Sequence, residues 1–489
     1  MTDELFIKWL KESSGVRCVL MEVGVKVGGV ETTRYLSSKG YVTGSGDTPA
    51  NTNYSPVIVG SVKFTESMQI DGGVSLSFGD IEVDNLTGNR DSWLDDIWVN
   101  RSANIYIGDV RWPKSDFKLI FSGLVVGVDS KNAGRLNLKL GDKLQRLNTP
   151  VTEVKLLGST ANKDALIPLC FGECHNVSPL LVDATVNEYQ VHNGPIEGII
   201  EVRDNGVPVL FTPFVATGKF RLTSQPTGVV TCSVQGDKPS TYANTIAALV
   251  KRLAIGFGQV EKRFTLAEID ATSFDAFAAS NTQPVGLYLK DRANVLESTT
   301  RLVASVGGRL TVNRAGKLAL VALSLPRATA GRSVSSTDML ERSLALSQFP
   351  VVEAGVKLGY CKNYTVQDNL QTGIPQEHVS LFKDEWLTVT RTDSLAAANY
   401  VTYTEPVLDE TLLLTAADAT AEANRRLGMV STQRKVFKYV GLAHMMLEEL
   451  GGTQTITHTR FGLSSGVRGQ IISLATDWLD PHITIEVIT

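Results

Sequence analysis

The sequence predicts a mainly β protein with α+β insertions, and three observations lead to that fold class. Through the first half, short runs rich in Val, Ile and Leu alternate with Gly, Asn, Asp and Ser, as strands alternate with turns. From Ser240 the apolar spacing changes to the helical period, and towards the end of the chain it returns to alternation. The length of 489 residues exceeds what a single hydrophobic core supports, so several structural units are expected.

The elements follow in order. "MTDELFIKWLKES" reads as a short amphipathic helix with Thr2 as N-cap and Leu5, Phe6, Trp9 and Leu10 on one face. Strands are expected in "RCVLMEVGVKV", "SPVIVGSVKF", "VSLSFGDIEV", "SANIYIGDV", "KLIFSGLVVGVDS" and "GRLNLKLGDKL", a set that suits a barrel or sandwich. Between the first two, "YLSSKGYVTGSGDTPANTNYSP" is polar and without period, the mark of a functional or disordered loop. A small β module runs from "ALIPLCFGECHNVSPLLVD" to "GVVTCSVQG", with a hairpin turn at Asp204-Asn-Gly206. "STYANTIAALVKRLAIGFG" reads as a capped helix with Ile246, Leu249, Val250 and Leu253 on its face. "DRANVLESTTRLVASVGG" repeats the design with Val295, Leu296, Leu302 and Val303. A hairpin turning between Asn313 and Gly316 follows directly. After Pro326 comes a polar stretch, the strand candidate "VVEAGVKLGYCKNYTV", one helix in "AADATAEANRRLGMV" and the closing strands "KVFKYVGL", "TQTITHT", "GQIISLATDWL" and "HITIEVIT". The expected units are 1–149, 150–238, 239–326 and 327–489, the last mostly β with one helix.

Composition narrows the function classes. Hydrophobic residues at 43% and charged residues at 20% are near the globular average, and no apolar run reaches the length of a membrane span. The acidic start lacks the basic and apolar regions of a secretory signal, so a folded, soluble, unsecreted chain is expected. A net charge of -4 offers no global reason to bind nucleic acid or anionic lipid. Five cysteines are odd in number and sparse, which fits a reducing compartment rather than a disulfide framework.

Each candidate for chemistry meets an obstacle of context. "GDIEVDNLTGNRDSWL" concentrates Asp80, Glu82, Asp84, Asn85, Asn89 and Asp91. A calcium loop starting at Asp80 would have Glu82 at its second ligand and Asn85 where glycine must make the turn. Asp80, Glu82 and Asp84 lie at period two, so in a strand they share one face while Ile81 and Val83 share the other. "GLSSG", Gly462–Gly466, matches a nucleophile elbow around Ser464, but strand-like alternation follows where a helix is required. "CFGECH" brings Cys170, Cys174 and His175 together, with Cys232 and Cys361 elsewhere. It has no second thiol pair at zinc spacing, so buried thiols are the better reading. His444 and His458 belong to no metal motif, and the G-x-G of "IGFGQVE" follows a helix instead of a strand. No catalytic, cofactor or metal residue is assigned, and an enzyme is not expected. What remains is a β-rich, multi-unit chain whose strand edges need covering, as subunits of a closed ring would cover them.

Four sets of phrases together resemble the central baseplate hub or tail-tip proteins of long-tailed, siphovirus-like bacteriophages. They are "GDIEVDNLTGNRDSWLDDIWVNRSANIYIGD" with "LIFSGLVVGV" and "LKLGDKLQRLNTPV"; "IPLCFGECHNVSPLL"; "EVRDNGVPV" with "GKFRLTSQPTGVVTCSVQG"; and "NVLESTTRLVASVGGRLTVNRAGKLALVAL". The resemblance implies that Asn85, Gly88, Arg90 and Asp91 form a structural corner, with Trp93 and Trp98 packed beneath it. It implies two tail-tube-like β barrels, one in residues 15–148 and one in roughly 327–489, and a homotrimer that offers six barrels to a six-fold tail tube. The implied partners are copies of itself, a distal tail or tube protein, a central fibre or spike and the tape measure protein, around a channel for DNA ejection. The implied place is the virion tail tip, after synthesis in the host bacterial cytoplasm. Neither a cofactor nor sequence-specific nucleic-acid binding is implied. Two features of some hubs are missing: the last cysteine is Cys361, so no four-cysteine cluster site exists, and no extra domain could house a hydrolase. The competing readings are a hexameric distal-tail or wedge ring protein and a cell-wall polysaccharide hydrolase. The hydrolase would draw its carboxylate pair from Asp80, Asp84, Asp91, Asp95 and Asp96.

Overall fold

The computed structural model describes residues 1–489 apart from 13, 69–73, 326–330, 403–404 and 481. The expected boundary at 326/327 therefore lies outside the described residues. Helix α1 (Asp3–Lys11) begins where Thr2 Oγ1 accepts the Leu5 N–H at 3.4 Å. Phe6, Trp9 and Leu10 are buried, but Leu5 is 57% exposed and does not share their face, because the buried stripe is narrower than the sequence suggests.

The strands of the first unit are β1 (Arg17–Val27), β2 (Val30–Ser37), β3 (Tyr41–Val42), β4 (Asn53–Pro56), β5 (Ile58–Val59), β6 (Lys63–Met68), β7 (Val74–Phe78), β8 (Asp80–Asp84), β9 (Ser102–Asp109), β10 (Lys118–Asn132) and β11 (Arg135–Gly141). Nine of them make one sheet in the order β3-β4-β2-β1-β9-β10-β11-β8-β5. The polar segment expected as a loop supplies β3 and β4. Its anchors are Tyr41 and Tyr54, both buried, with ring centroids 5.9 Å apart. Two expected strands break in two. Gly60, at φ +75°, separates β5 from β6, and at Gly79 a Cβ would stand 2.5 Å from the Lys63 carbonyl oxygen. The hairpin β6–β7 thereby leaves the first sheet.

The small module contains β12 (Leu169–Val177), β13 (Leu180–Asp183), β14 (Glu188–Gln190), β15 (Ile196–Asp204), β16 (Val207–Pro208), β17 (Phe211–Phe214), β18 (Lys219–Leu222) and β19 (Val230–Asp237). The expected turn joins β15 to β16 through Asn205 and Gly206, at φ +46° and +84°. The mixed unit that follows holds α2 (Ile246–Gly256), α3 (Ala271–Ser280), β20 (Gly286–Leu289), α4 (Val295–Ala304) and the hairpin β21 (Gly308–Val312) to β22 (Leu318–Ala322). Helix α2 starts six residues after Ser240, with Thr245 as N-cap. Helix α3 escaped the sequence reading because only Phe274 and Phe277 mark its buried side in an alanine-rich stretch. Strand β20 pairs with β12, so the module's sheet, β16-β15-β19-β12-β20, is completed by the mixed unit.

The last unit comprises β23 (Arg332–Val334), β24 (Ala345–Gln348), β25 (Gly355–Tyr360), α5 (Gln376–Lys383), β26 (Leu387–Thr392), α6 (Ser394–Tyr400), β27 (Leu408–Glu410), α7 (Ala416–Val430), β28 (Val436–Leu442), β29 (Thr453–Ile456), β30 (Val467–Asp477) and β31 (His482–Ile488). Among its described residues it carries three helices where one was expected, because α5 and α6 are too short to show a helical period. Its main sheet runs β23-β29-β30-β31-β28-β24, and β6 from the first unit pairs antiparallel with β30, from Lys63 opposite Asp477 to Ser67 opposite Ser473. Phe6, Val19, Ile105 and Leu138 consequently share one buried cluster with Tyr439, Leu474, Trp478 and Ile485. The first and last units meet in a single core.

Candidate functional site: a corner at one end of the first sheet

Strand β8 alternates as its period-two pattern requires. Ile81 and Val83 are fully buried, while Asp80, Glu82 and Asp84 lie on the half-exposed face. Where the strand ends, Asn85 turns inward and is 2% exposed. Its Nδ2 donates to Asp91 Oδ1 at 2.7 Å and its Oδ1 accepts the Arg90 N–H at 2.9 Å, so one side-chain amide spans the turn. Gly88 lies within it at φ +72°, where its N–H reaches the Asn85 carbonyl at 2.9 Å and its carbonyl receives the Asp91 N–H at 3.1 Å. Arg90 Nη1 donates to the Asp84 carbonyl at 2.7 Å.

A short 3-10 turn, Asp91–Asp95, then carries Trp93, and Trp98 follows three residues after its end. Trp98 is buried and its Nε1 donates to the Trp93 carbonyl at 2.7 Å, whereas Trp93 is only partly buried. Their rings lie 5.5 Å apart. Arg34, on neighbouring β2, stacks its guanidinium 4.4 Å over Trp93 and pairs with Asp96 at 2.5 Å. Ile97 exchanges both backbone hydrogen bonds with Lys26 at 3.0 Å, which ties the segment to the end of β1. The structure thus brings Asn85, Gly88, Arg90, Asp91, Trp93 and Trp98 into one turn. Arg34 and Lys26 are its unforeseen supports, since no sequence signal links them to residues so distant along the chain.

The other candidates lie elsewhere. Gly462–Gly466 is a turn region between β29 and β30, and Ser464 precedes a strand instead of a helix. Cys170, Cys174 and Cys232 sit in one apolar cluster of the module, and burial pushes the thiols of Cys174 and Cys232 well up. His175 is apart from them, with Nε2 3.1 Å from Glu173. Cys361 is half-buried. No group of three or more His, Cys, Asp or Glu side chains gathers as metal ligands among the described residues. His192 is buried between a Cys170 N–H, which its Nδ1 accepts at 3.1 Å, and Asp237 at 3.3 Å from its Nε2. Arg252 then pairs with Asp237 at 2.6 Å. This enclosed chain pins the module to helix α2. His444 meets Asp338 at 2.8 Å. Among the described residues no helix is long and apolar enough to cross a membrane.

No protein-family model and no curated sequence matches the chain. Its structure is similar to the 43 kDa tail protein of prophage MuSo2 from Shewanella oneidensis, at 12% identity and a TM-score of 0.40, covering 96% of this chain and 98% of that one. It is similar to prophage tail protein gp18 from Listeria monocytogenes, at 10% identity and a TM-score of 0.40, over 90% and 92% of the two chains. A third similarity is to the Escherichia coli c3393 protein, a type VI secretion component described as similar to the T4 tail proteins gp27 and gp5. There the identity is 8%, the TM-score 0.34 and the coverage 88% and 74%.

Proposed function

We propose that this chain is a structural subunit of a phage tail tip, forming the central hub as a homotrimer. The observation that carries the reading is the joining of two large sheets in one core through β6 and β30. Each sheet ends in outer strands that do not pair with one another among the described residues, β3 and β5 in the first and β23 and β24 in the second. Such edges call for neighbouring chains. In this reading residues 1–149 and 327–489 supply the two tube-like units, while 150–238 and 239–326 hang between them. The Asn85–Trp98 corner is structural and fixes one end of the first unit. The ring adapts a six-fold tube to a three-fold fibre or spike, encloses the channel, surrounds the tape measure protein and abuts the distal tail protein in the virion. A non-catalytic role is supported by the enclosure of the module's thiols and by the strand that follows Ser464. The test is negative-stain imaging of the purified chain. Ring averages with a central channel and pseudo-six-fold outline support the hub, and a six-fold ring of six full chains would replace it with the distal-tail reading.

A further inference from the structure

The corner holds more apolar surface in water than its own packing requires. Leu86 is 74% exposed, Leu94 52%, Ile97 52% and Val99 46%. Val30, at 68%, closes the β1–β2 hairpin beside Lys26, the residue to which Ile97 is bonded. These side chains stand on a backbone held by the Asn85, Arg90 and Trp98 hydrogen bonds and by the Arg34 stack, so little ordering cost remains when they are covered. Exposed apolar side chains carried by one hydrogen-bonded support suit a protein-interaction site.

The charge around them selects the partner. Between residues 84 and 101 four carboxylates face two guanidiniums. Both guanidiniums are engaged, Arg90 at Asp84 and Arg101 at Glu31, and Arg34 occupies Asp96. Asp91 and Asp95 are exposed and make no ion pair with a described residue. Lys26 nearby is a half-buried cation. Two copies of this face brought together about a two-fold axis would set carboxylates against carboxylates, which is unfavourable.

We propose that this corner is a docking surface for a different protein segment, one that presents an apolar stripe flanked by lysine or arginine. The inference goes beyond the tail reading and does not rest on it, since a chain that proved monomeric could still bind such a segment. The test titrates the full chain with a synthetic amphipathic peptide of leucine and lysine, and separately with its leucine and glutamate counterpart. Tryptophan emission is the readout, because Trp93 lies next to Leu94. The expected result is saturable binding of the lysine peptide. It weakens at least tenfold in the Leu94→Ser/Ile97→Ser double variant, weakens less in Asp95→Asn, and loses its emission change in Trp93→Phe. No binding, equal binding of the glutamate peptide, unchanged affinity in the double variant, or an emission change that survives Trp93→Phe would each overturn the proposal. So would a shift of the chain's own solution mass in the double variant, which would make a second copy the occupant.

Discussion

Asn85 shows how much one side chain can organise. Its amide is buried and both ends are used, so Asn85→Ala leaves the Arg90 N–H and Asp91 carboxylate without their partner and is expected to cost about 1 to 3 kcal/mol. Trp98 and Trp93 separate by burial. Trp98→Ala should cost about 3 to 5 kcal/mol, as for a large core aromatic, and Trp93→Ala clearly less, because that ring is partly in solvent and held largely by Arg34. Urea unfolding of the three variants checks the ranking, and equal losses for the two tryptophans would contradict the geometry. The period-two face of Asp80, Glu82 and Asp84 was legible because strand alternation is local. The supports at Arg34 and Lys26 were not, because β2 and β1 reach the corner only through the sheet pairing.

At the scale of elements, the clearest joint ties the exit of the first unit to the mixed unit. Arg146, in the 3-10 turn Lys143–Leu147, pairs with Glu268 at 2.6 Å and donates to the carbonyls of Lys262 and Arg263. Its guanidinium also lies 4.5 Å over Phe264. Burial works against ionisation of Glu268, but the hydrogen bonds from Arg146 and Thr265 outweigh it and hold the carboxyl down to about 2. A depressed carboxylate stabilises the fold above its unfolded pKa, and that contribution is lost as pH falls through the folded value. Stability should therefore decline between roughly pH 4.5 and pH 2, and Glu268→Gln should flatten that part of the acid-unfolding curve while lowering stability at neutral pH. An unchanged acid limb would contradict this role of Glu268. The strongly periodic helices α2, α4 and α7 and the Asn205–Gly206 hairpin were readable in the sequence. Helices α3, α5 and α6 were not: α3 shows only Phe274 and Phe277 on its buried side, and α5 and α6 are short helices stabilised by packing that a local pattern does not record.

Over the whole molecule, the least legible feature is the most consequential one. Nothing in the runs "SPVIVGSVKF" and "VSLSFGDIEV" announces that Gly60 and Gly79 divert their middle portion into a sheet some 400 positions along the chain. Because β6 pairs with β30 and the cluster around Phe6 and Trp478 spans both sheets, the first and last units should unfold together. Gly79→Val would drive a side chain into the Lys63 carbonyl and is expected to uncouple them. Calorimetry should then show a split transition in the variant against one shared transition in the parent chain, and a split parent would contradict the common core. The claim that depends on all these layers is the ring. Native mass spectrometry of the chain, 52.9 kDa as a single copy, tests it most directly. A mass of three chains is expected. A stable hexamer, or a monomer that persists across concentration, would contradict the trimeric hub.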